Sequence, residues 1–227
     1  MWLIRNLIVI SFSLFIAIVS ILIFPIDPHK NISNFVLRKW TRGTLYIFGV
    51  KVIVEGAENI TPGEGKVYIS NHASYLDIFT EVAYLPDNVR MIYKREINRI
   101  PLLGWAMVAA GFVSIDRENV RSAMKSLEQA AGRIKKGLSI VIYPEGTRTR
   151  DGSVGEFKRG MFFLADKAKA DIVPVTIVNS FNLMPGGSGR VKPGTIKMII
   201  DKPLKYKKDK AFLNEIRDIV IKNLDQK

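Results

Sequence analysis

The residues best suited to chemistry lie in Ile69-Ser70-Asn71-His72-Ala73-Ser74-Tyr75-Leu76-Asp77, where an apolar run ends in a histidine and an aspartate follows five positions later. A neutral imidazole near pH 7 accepts a proton, and a carboxylate beside it fixes its tautomer, so His72 and Asp77 suit a general base and its orienting acid. On one continuous helix, residues i and i+5 diverge, so His72 must precede the helix that carries Asp77. Ser74 is a suitable N-cap, which makes Asp77 the third helical residue of a capping box and lets His72 fold back over the first turn. The rival reading is that Ser74 and Asp77 only cap the helix and His72 is structural. This stretch alone does not choose between them.

Three further stretches carry candidate chemistry. Tyr143-Pro144-Glu145-Gly146-Thr147-Arg148-Thr149-Arg150 follows the apolar run Ser139 to Tyr143, and loops at the carboxyl ends of strands are where open α/β sheets bind ligands. Gly146 lets the backbone approach a ligand closely, and Arg148 can bond phosphate or carboxylate through both arms of its guanidinium. A surface turn with a Glu145 to Arg148 ion pair is the alternative. Gly111-Phe112-Val113-Ser114-Ile115-Asp116-Arg117 has a buried-strand pattern that puts Arg117 at a carboxyl end, like His72 and Arg148. In Ile172-Val173-Pro174-Val175 a proline removes a ladder donor, which predicts an edge strand or a bulge.

These loops need a framework, and the pattern from Lys51 onward supplies one. Strands are predicted over 51–55, 67–70, 89–93, 112–115, 139–143, 172–178 and 196–200, with helices near 74–84, 101–110, 119–136, 158–169 and 210–224. Val120, Ala123, Met124, Leu127, Ala131 and Ile134 repeat at helical spacing, and Gly137 is placed to end that helix. The alternation predicts a single α/β domain with a largely parallel or mixed central sheet flanked by helices, over residues 50–227.

Residues 1–49 read differently, as a membrane-anchoring two-helix segment. From Leu3 to Phe24 the strongly polar side chains are Arg5 and Asn6, a run long enough for a membrane helix. Pro25 and Pro28 end it, and Asn31 or Ser33 is the expected cap of a second helix reaching about Phe48. Ile32, Phe35, Val36, Trp40, Thr44 and Ile47 fall on one side of that helix, with Lys30, Arg38, Lys39 and Arg42 elsewhere, as at a membrane interface. A spanning first helix and a hairpin lying in one leaflet both fit. The net charge of +13 calls for an anionic partner, and the absence of cysteine excludes disulfides, thiolate metal sites and a cysteine nucleophile.

Taken together and in order, Asn71-His72 with Asp77, Gly111 through Arg117, Glu145-Gly146-Thr147-Arg148 and Val173-Pro174-Val175 resemble the four motif blocks of the glycerolipid acyltransferase superfamily. The likeness is to its bacterial 1-acyl-glycerol-3-phosphate acyltransferases, and it covers roughly residues 50–200. Tyr143 stands where phenylalanine is common in that family. The resemblance implies His72 as general base for the 2-hydroxyl of lysophosphatidic acid, with Asp77 orienting it. The acyl donor is acyl-CoA or acyl-carrier protein, and no metal, bound cofactor or covalent enzyme intermediate is required. It assigns Glu145, Gly146, Thr147 and Arg148 to the glycerol phosphate, with Arg117 a second phosphate ligand.

Lys94, Lys158 and Arg159 are further candidates by position and charge. Asn71 or backbone N–H groups are the expected oxyanion donors, and Leu102 to Ala110 offers an acyl-chain lining or an ordinary core helix. The expected setting is the cytoplasmic face of the cell inner membrane. Basic clusters at Arg90 to Arg99 and Lys202 to Lys210 are available for anionic lipid, coenzyme A or an acidic carrier. Nucleic acid is not expected, because no recognised binding motif accompanies the charge. Within the superfamily, glycerol-3-phosphate or another lysophospholipid is an alternative acceptor. Outside it, the rivals are a hydrolase using Ser74 as nucleophile and a basic lipid-binding module with no activity.

Overall fold

A computed structural model describes residues 2–158, 162–185 and 188–225. The chain opens with α1 (Trp2–Ile23) and α2 (Asn31–Phe48), then β1 (Val50–Glu55), β2 (Val67–Ser70), α3 (Tyr75–Tyr84), β3 (Val89–Lys94), α4 (Leu103–Ala109) and β4 (Val113–Ile115). It continues with α5 (Val120–Ile134), β5 (Ser139–Ile142), α6 (Phe163–Ala168), β6 (Ile172–Val178), α7 (Ser180–Leu183), β7 (Gly194–Ile200) and α8 (Lys210–Asp225). The seven strands form one sheet in the order β1-β7-β6-β2-β5-β3-β4. All neighbours are parallel except β6 and β7, so the sheet is mixed.

The central strands β2, β5 and β6 are buried at every residue, which is why they read as continuous apolar runs rather than alternations. One face packs Leu37, Leu45 and Phe48 of α2 and Leu76 and Val82 of α3, and the other packs Ala130, Ala131 and Ile134 of α5 with Phe212 and Ile216 of α8. Strands β2, β5 and β6 point the same way, so the loops after them share one end of the sheet.

Four expectations change. Strand β6 lies inside the sheet, and Pro174 sits where its ladder to β7 stops: the Pro174 carbonyl accepts from Asp201 N at 3.0 Å, and the pairing begins at Val175. The cap of α2 comes from Asp27, whose carboxylate accepts from Ile32 N at 3.3 Å, Ser33 N at 2.7 Å and Ser33 Oγ at 2.5 Å. The buried face of α2 is Ser33, Leu37, Thr41, Thr44, Leu45 and Phe48, while Ile32 and Phe35 are exposed. Thr41 Oγ1 bonds back to Leu37 O at 2.9 Å, which satisfies its hydroxyl inside the contact, whereas the Thr44 hydroxyl is buried without a partner. Finally, α6 begins only at Phe163, so Lys158 precedes it, and residues 159–161, Arg159 among them, lie outside the described residues.

The first helix is docked along its length. Near its N-terminus Arg5 reaches Phe48 O at 3.4 Å, Asn6 reaches Gly189 O at 3.2 Å, and Trp2 carries the Arg190 guanidinium over its ring. In the middle, Trp40 Nε1 donates to Ser13 Oγ at 3.0 Å, and a Cβ on Gly43 would stand 3.0 Å from the Phe12 ring. At the far end Ile21 and Phe24 line a groove with Trp105, Val108 and Ala109 on and beside α4. The opposite face of α1, with Leu3, Leu7, Ile10, Leu14, Phe15, Ile18 and Leu22, is exposed.

Candidate active site

The turn between β2 and α3 builds the pair that the spacing suggested. His72 Nδ1 lies 2.9 Å from Asp77 Oδ2, and the same oxygen accepts from Ala73 N at 2.7 Å and Ser74 N at 2.8 Å. Ser74 caps α3, accepting from Leu76 N at 3.1 Å, so the capping box is itself the device that fixes Asp77. A carboxylate on Nδ1 assigns the ring proton there and leaves Nε2 as the basic nitrogen. Asp77 is fully buried, while the His72 side chain keeps 13% of its exposure.

The loop after β5 braces His72 from three directions. Glu145 Oε1 accepts from His72 N at 2.8 Å, Thr149 N donates to His72 O at 2.8 Å, and the Tyr143 ring stacks on the imidazole at 3.9 Å between centroids, 10° from parallel. Tyr143 in turn donates its hydroxyl to Glu81 of α3, a fully buried residue. Burial raises the Tyr143 hydroxyl well above its usual range, and the neighbouring carboxyl groups of Glu81 and Asp77 add to it.

Glu145 Oε2 accepts from Gly155 N at 2.9 Å, so both carboxylate oxygens are spent on backbone. The outer side of that segment is gripped by Arg217 of α8, which donates to Gly155 O at 2.9 Å and Val154 O at 2.8 Å. Burial raises the Glu145 carboxyl, partly offset by these backbone donors.

Cations gather around Gly146. This residue has φ of +76°, a conformation that favours glycine, and a Cβ there would stand 3.1 Å from Lys158 Nζ. Arg117 Nη1 donates to Gly146 O at 2.9 Å. The Arg148 guanidinium lies over the Tyr75 ring at 3.7 Å, and its Nη1 is buried without a partner. Thr147 is exposed beside them. A planar cation with an unused buried donor, next to a second arginine and a lysine, is suited to a dianionic phosphate.

Other expected contributors are placed elsewhere or otherwise engaged. Lys94 ends β3 but pairs with Glu96 at 2.9 Å. Asn71, buried after β2, uses its amide to bridge β2 to β6, donating to Ile177 O at 3.0 Å and accepting from Ile177 N at 2.9 Å. Ser74 Oγ is buried in its cap, which removes the nucleophile of the hydrolase reading. Arg90 is fully buried and bonds backbone carbonyls, so it is no part of a surface cluster. Leu204, within the Lys202 to Lys210 stretch, pairs with Ile172 at the start of β6, which puts those lysines at the end of the sheet away from His72.

The sequence reading missed Glu81, Gly155, Arg217 and the bracing roles of Tyr143 and Thr149. Only Tyr143 gave a signal, as a polar ring in place of the family's phenylalanine.

The fold and site together define an α/β protein with a histidine–aspartate pair and a cationic loop at the carboxyl ends of its parallel strands. The family model described as Acyltransferase matches residues 51–178, more than half of the chain, and the chain belongs to the acyltransferase family. It is 36% identical over 202 residues to the chloroplastic 1-acyl-sn-glycerol-3-phosphate acyltransferase LPAT1 of Arabidopsis thaliana, covering 88% of this chain and 56% of that protein. It is 32% identical over 186 residues to the 1-acyl-sn-glycerol-3-phosphate acyltransferase of Pseudomonas aeruginosa, covering 80% of this chain and 71% of that one. The chain spans little more than half the length of several curated relatives that it matches. The crystal structure of the 1-acyl-sn-glycerophosphate acyltransferase PlsC from Thermotoga maritima has the same fold, with a TM-score of 0.79 at 24% identity over 100% of this chain and 97% of that one.

Proposed function

We propose that this chain transfers an acyl group from acyl-CoA or acyl-carrier protein to the 2-hydroxyl of 1-acyl-glycerol-3-phosphate, forming phosphatidic acid. The observation that carries the reading is the His72–Asp77 pair held beside Arg148, whose Nη1 is buried and unpartnered. His72 Nε2 takes the hydroxyl proton as the oxygen attacks the thioester carbonyl, and Asp77 holds the tautomer and stabilises the imidazolium. The tetrahedral centre collapses to the ester and the thiolate leaves. Arg148, with Arg117 and Lys158 around Gly146, holds the phosphate; Glu145 acts on the loop and on His72 N rather than on the ligand.

The setting is a membrane, and α1 lies in one leaflet. The helix is long and apolar enough to cross a bilayer. Both of its ends nevertheless touch the globular domain, at Phe48 and Gly189 on one side and beside α4 on the other. A crossing would drag that polar domain into hydrocarbon. The exposed face of α1 with Ile32, Phe35 and Tyr46 of α2 then forms the embedded surface, on the cytoplasmic side where acyl thioesters are available.

The test supplies purified protein with a labelled acyl thioester and a panel of acceptors, water included. Labelled phosphatidic acid formed from lysophosphatidic acid, and lost in a folded His72→Ala protein, is the expected result. Turnover on water alone, or His72→Ala at wild-type rate, would overturn it.

A further inference from the structure

Behind the histidine–aspartate pair, two buried oxygens have no partner. Asp77 gives Oδ2 to His72, Ala73 and Ser74, while its Oδ1 is buried and unbonded. Glu81 lies one turn further along α3, also with no exposure; its Oε2 accepts from Tyr143, and its Oε1 is buried and unbonded. Residues at i and i+4 share a helix face. Two ionised carboxylates there would place like charges and orphan acceptors together in a dry space.

Among the described residues no cation relieves this. The groups facing Glu81 are Asp77 on its own helix, Tyr143 from the loop after β5 and Ser70 from β2, none of them cationic. The Ser70 hydroxyl, which donates to Asn71 O at 3.2 Å, also sits beside Glu81 and lowers its carboxyl, though by less than burial raises it, and the Thr80 hydroxyl has no partner. A proton on Glu81 removes one of the two charges and turns one of the orphan acceptors into a donor.

We propose that Glu81 is a neutral carboxylic acid that donates from Oε1 to Asp77 Oδ1 and accepts from Tyr143 at Oε2, making it a positioning residue for the His72–Asp77 base. Its bond to Asp77 holds that carboxylate in the rotamer that meets His72 Nδ1 and spreads its charge. Its bond to Tyr143 holds the ring on which the imidazole stacks. Burial, with the Asp77 charge adding to it, raises the Glu81 carboxyl to about 8, so the acid is neutral at physiological pH. The catalytic consequence rests on the acyltransferase reading, whereas the protonation state does not.

Infrared difference spectra of the full chain, wild type against Glu81→Gln, test the proton directly. A protonated-carboxyl carbonyl band is expected at neutral pH, absent from Glu81→Gln and lost above about pH 8. Kinetics test the role. Glu81→Gln can still donate to Asp77 and accept from Tyr143, and keeps kcat within about two-fold; Glu81→Leu loses about ten-fold or more in kcat with KM for both substrates unchanged.

In Glu81→Leu the acid limb of kcat/KM also moves to higher pH, because an Asp77 charge relieved of its hydrogen bond stabilises the imidazolium more. Absence of the band overturns the proposal. So does a Glu81→Leu protein with wild-type kcat and acid limb, whatever its melting temperature, or Glu81→Gln as impaired as Glu81→Leu. A band present in a protein that acylates no acceptor would sink the acyltransferase reading and leave the proton assignment standing.

Discussion

Among the site's side chains, Arg148 combines full charge, a fixed stack on Tyr75 and a buried Nη1 with nothing to bond. An anion reaching that nitrogen gains a charge-assisted hydrogen bond in a partly dry setting. Arg148→Ala is therefore expected to lower kcat/KM for lysophosphatidic acid about 10- to 100-fold, with little change in KM for the acyl donor. Arg148→Lys recovers little of it, since a lysine has neither the planar fork nor the stack. Unchanged kinetics over a range of acceptor concentrations would remove Arg148 from the phosphate site.

Glu81 carries a prediction of its own at this scale. With its folded value near 8 against 4.5 for the free acid, the native state holds a proton that the unfolded chain releases. Stability contributed by the neutral acid is present at low pH, falls as pH rises from about 4.5 to about 8, and levels off above that. Thermal melts across this window should show that slope in the wild type and a flatter one in Glu81→Gln. His72, Asp77, Gly146, Arg117 and Arg148 were legible as candidates because their types and spacing suggest chemistry without a fold. Glu81 was not, because one acid inside an amphipathic helix looks like any other until its burial is known.

At the scale of elements, the strand pattern was legible almost to the residue, because buried parallel strands leave short apolar runs bounded by turns. Faces were harder to read. In helix α2 the stripe assigned to a membrane interface is divided: Ile32 and Phe35 are exposed, while Thr44 joins Ser33, Leu37, Thr41, Leu45 and Phe48 on the buried face and Trp40 packs edge-on against Phe79 of α3. Within the loop after β5, read as a ligand loop, Glu145 is also a strut joining His72 N to Gly155 N, with Arg217 holding the backbone at residues 154 and 155. No sequence spacing reveals a contact between residues 145 and 72.

A strut of this kind needs an acceptor at both ends. Glu145→Gln presents an amide N–H₂ to one of the two backbone donors, so one bond is lost and an N–H group faces another. The expected cost is about ten-fold in kcat with KM for both substrates little changed, and about 1–2 kcal/mol of stability. Steady-state kinetics beside a thermal melt check it; a melt shifted with kcat intact would show Glu145 to be purely structural.

For the whole molecule, the proposed membrane setting would rest on two attractions that act over different ranges. A net charge of +13 would draw the protein to anionic lipid from a distance, and salt would screen it. The outward face of α1 acts only on contact and is indifferent to salt. Sedimentation with anionic vesicles should therefore show wild-type protein retained at high ionic strength once bound. Leu7→Asp/Leu14→Asp, on the exposed face of a helix whose other side stays docked through Ser13 and Trp40, should bind at low salt and release at high salt while melting normally. A leaflet-embedded hairpin also leaves the two ends of α1 on the same side of the bilayer. Membrane-impermeant labels applied to sealed vesicles from outside should then reach a cysteine inserted ahead of Trp2 and one replacing the exposed His29, just past the far end, equally. Labelling at one end alone would establish a crossing and require α1 to leave α4.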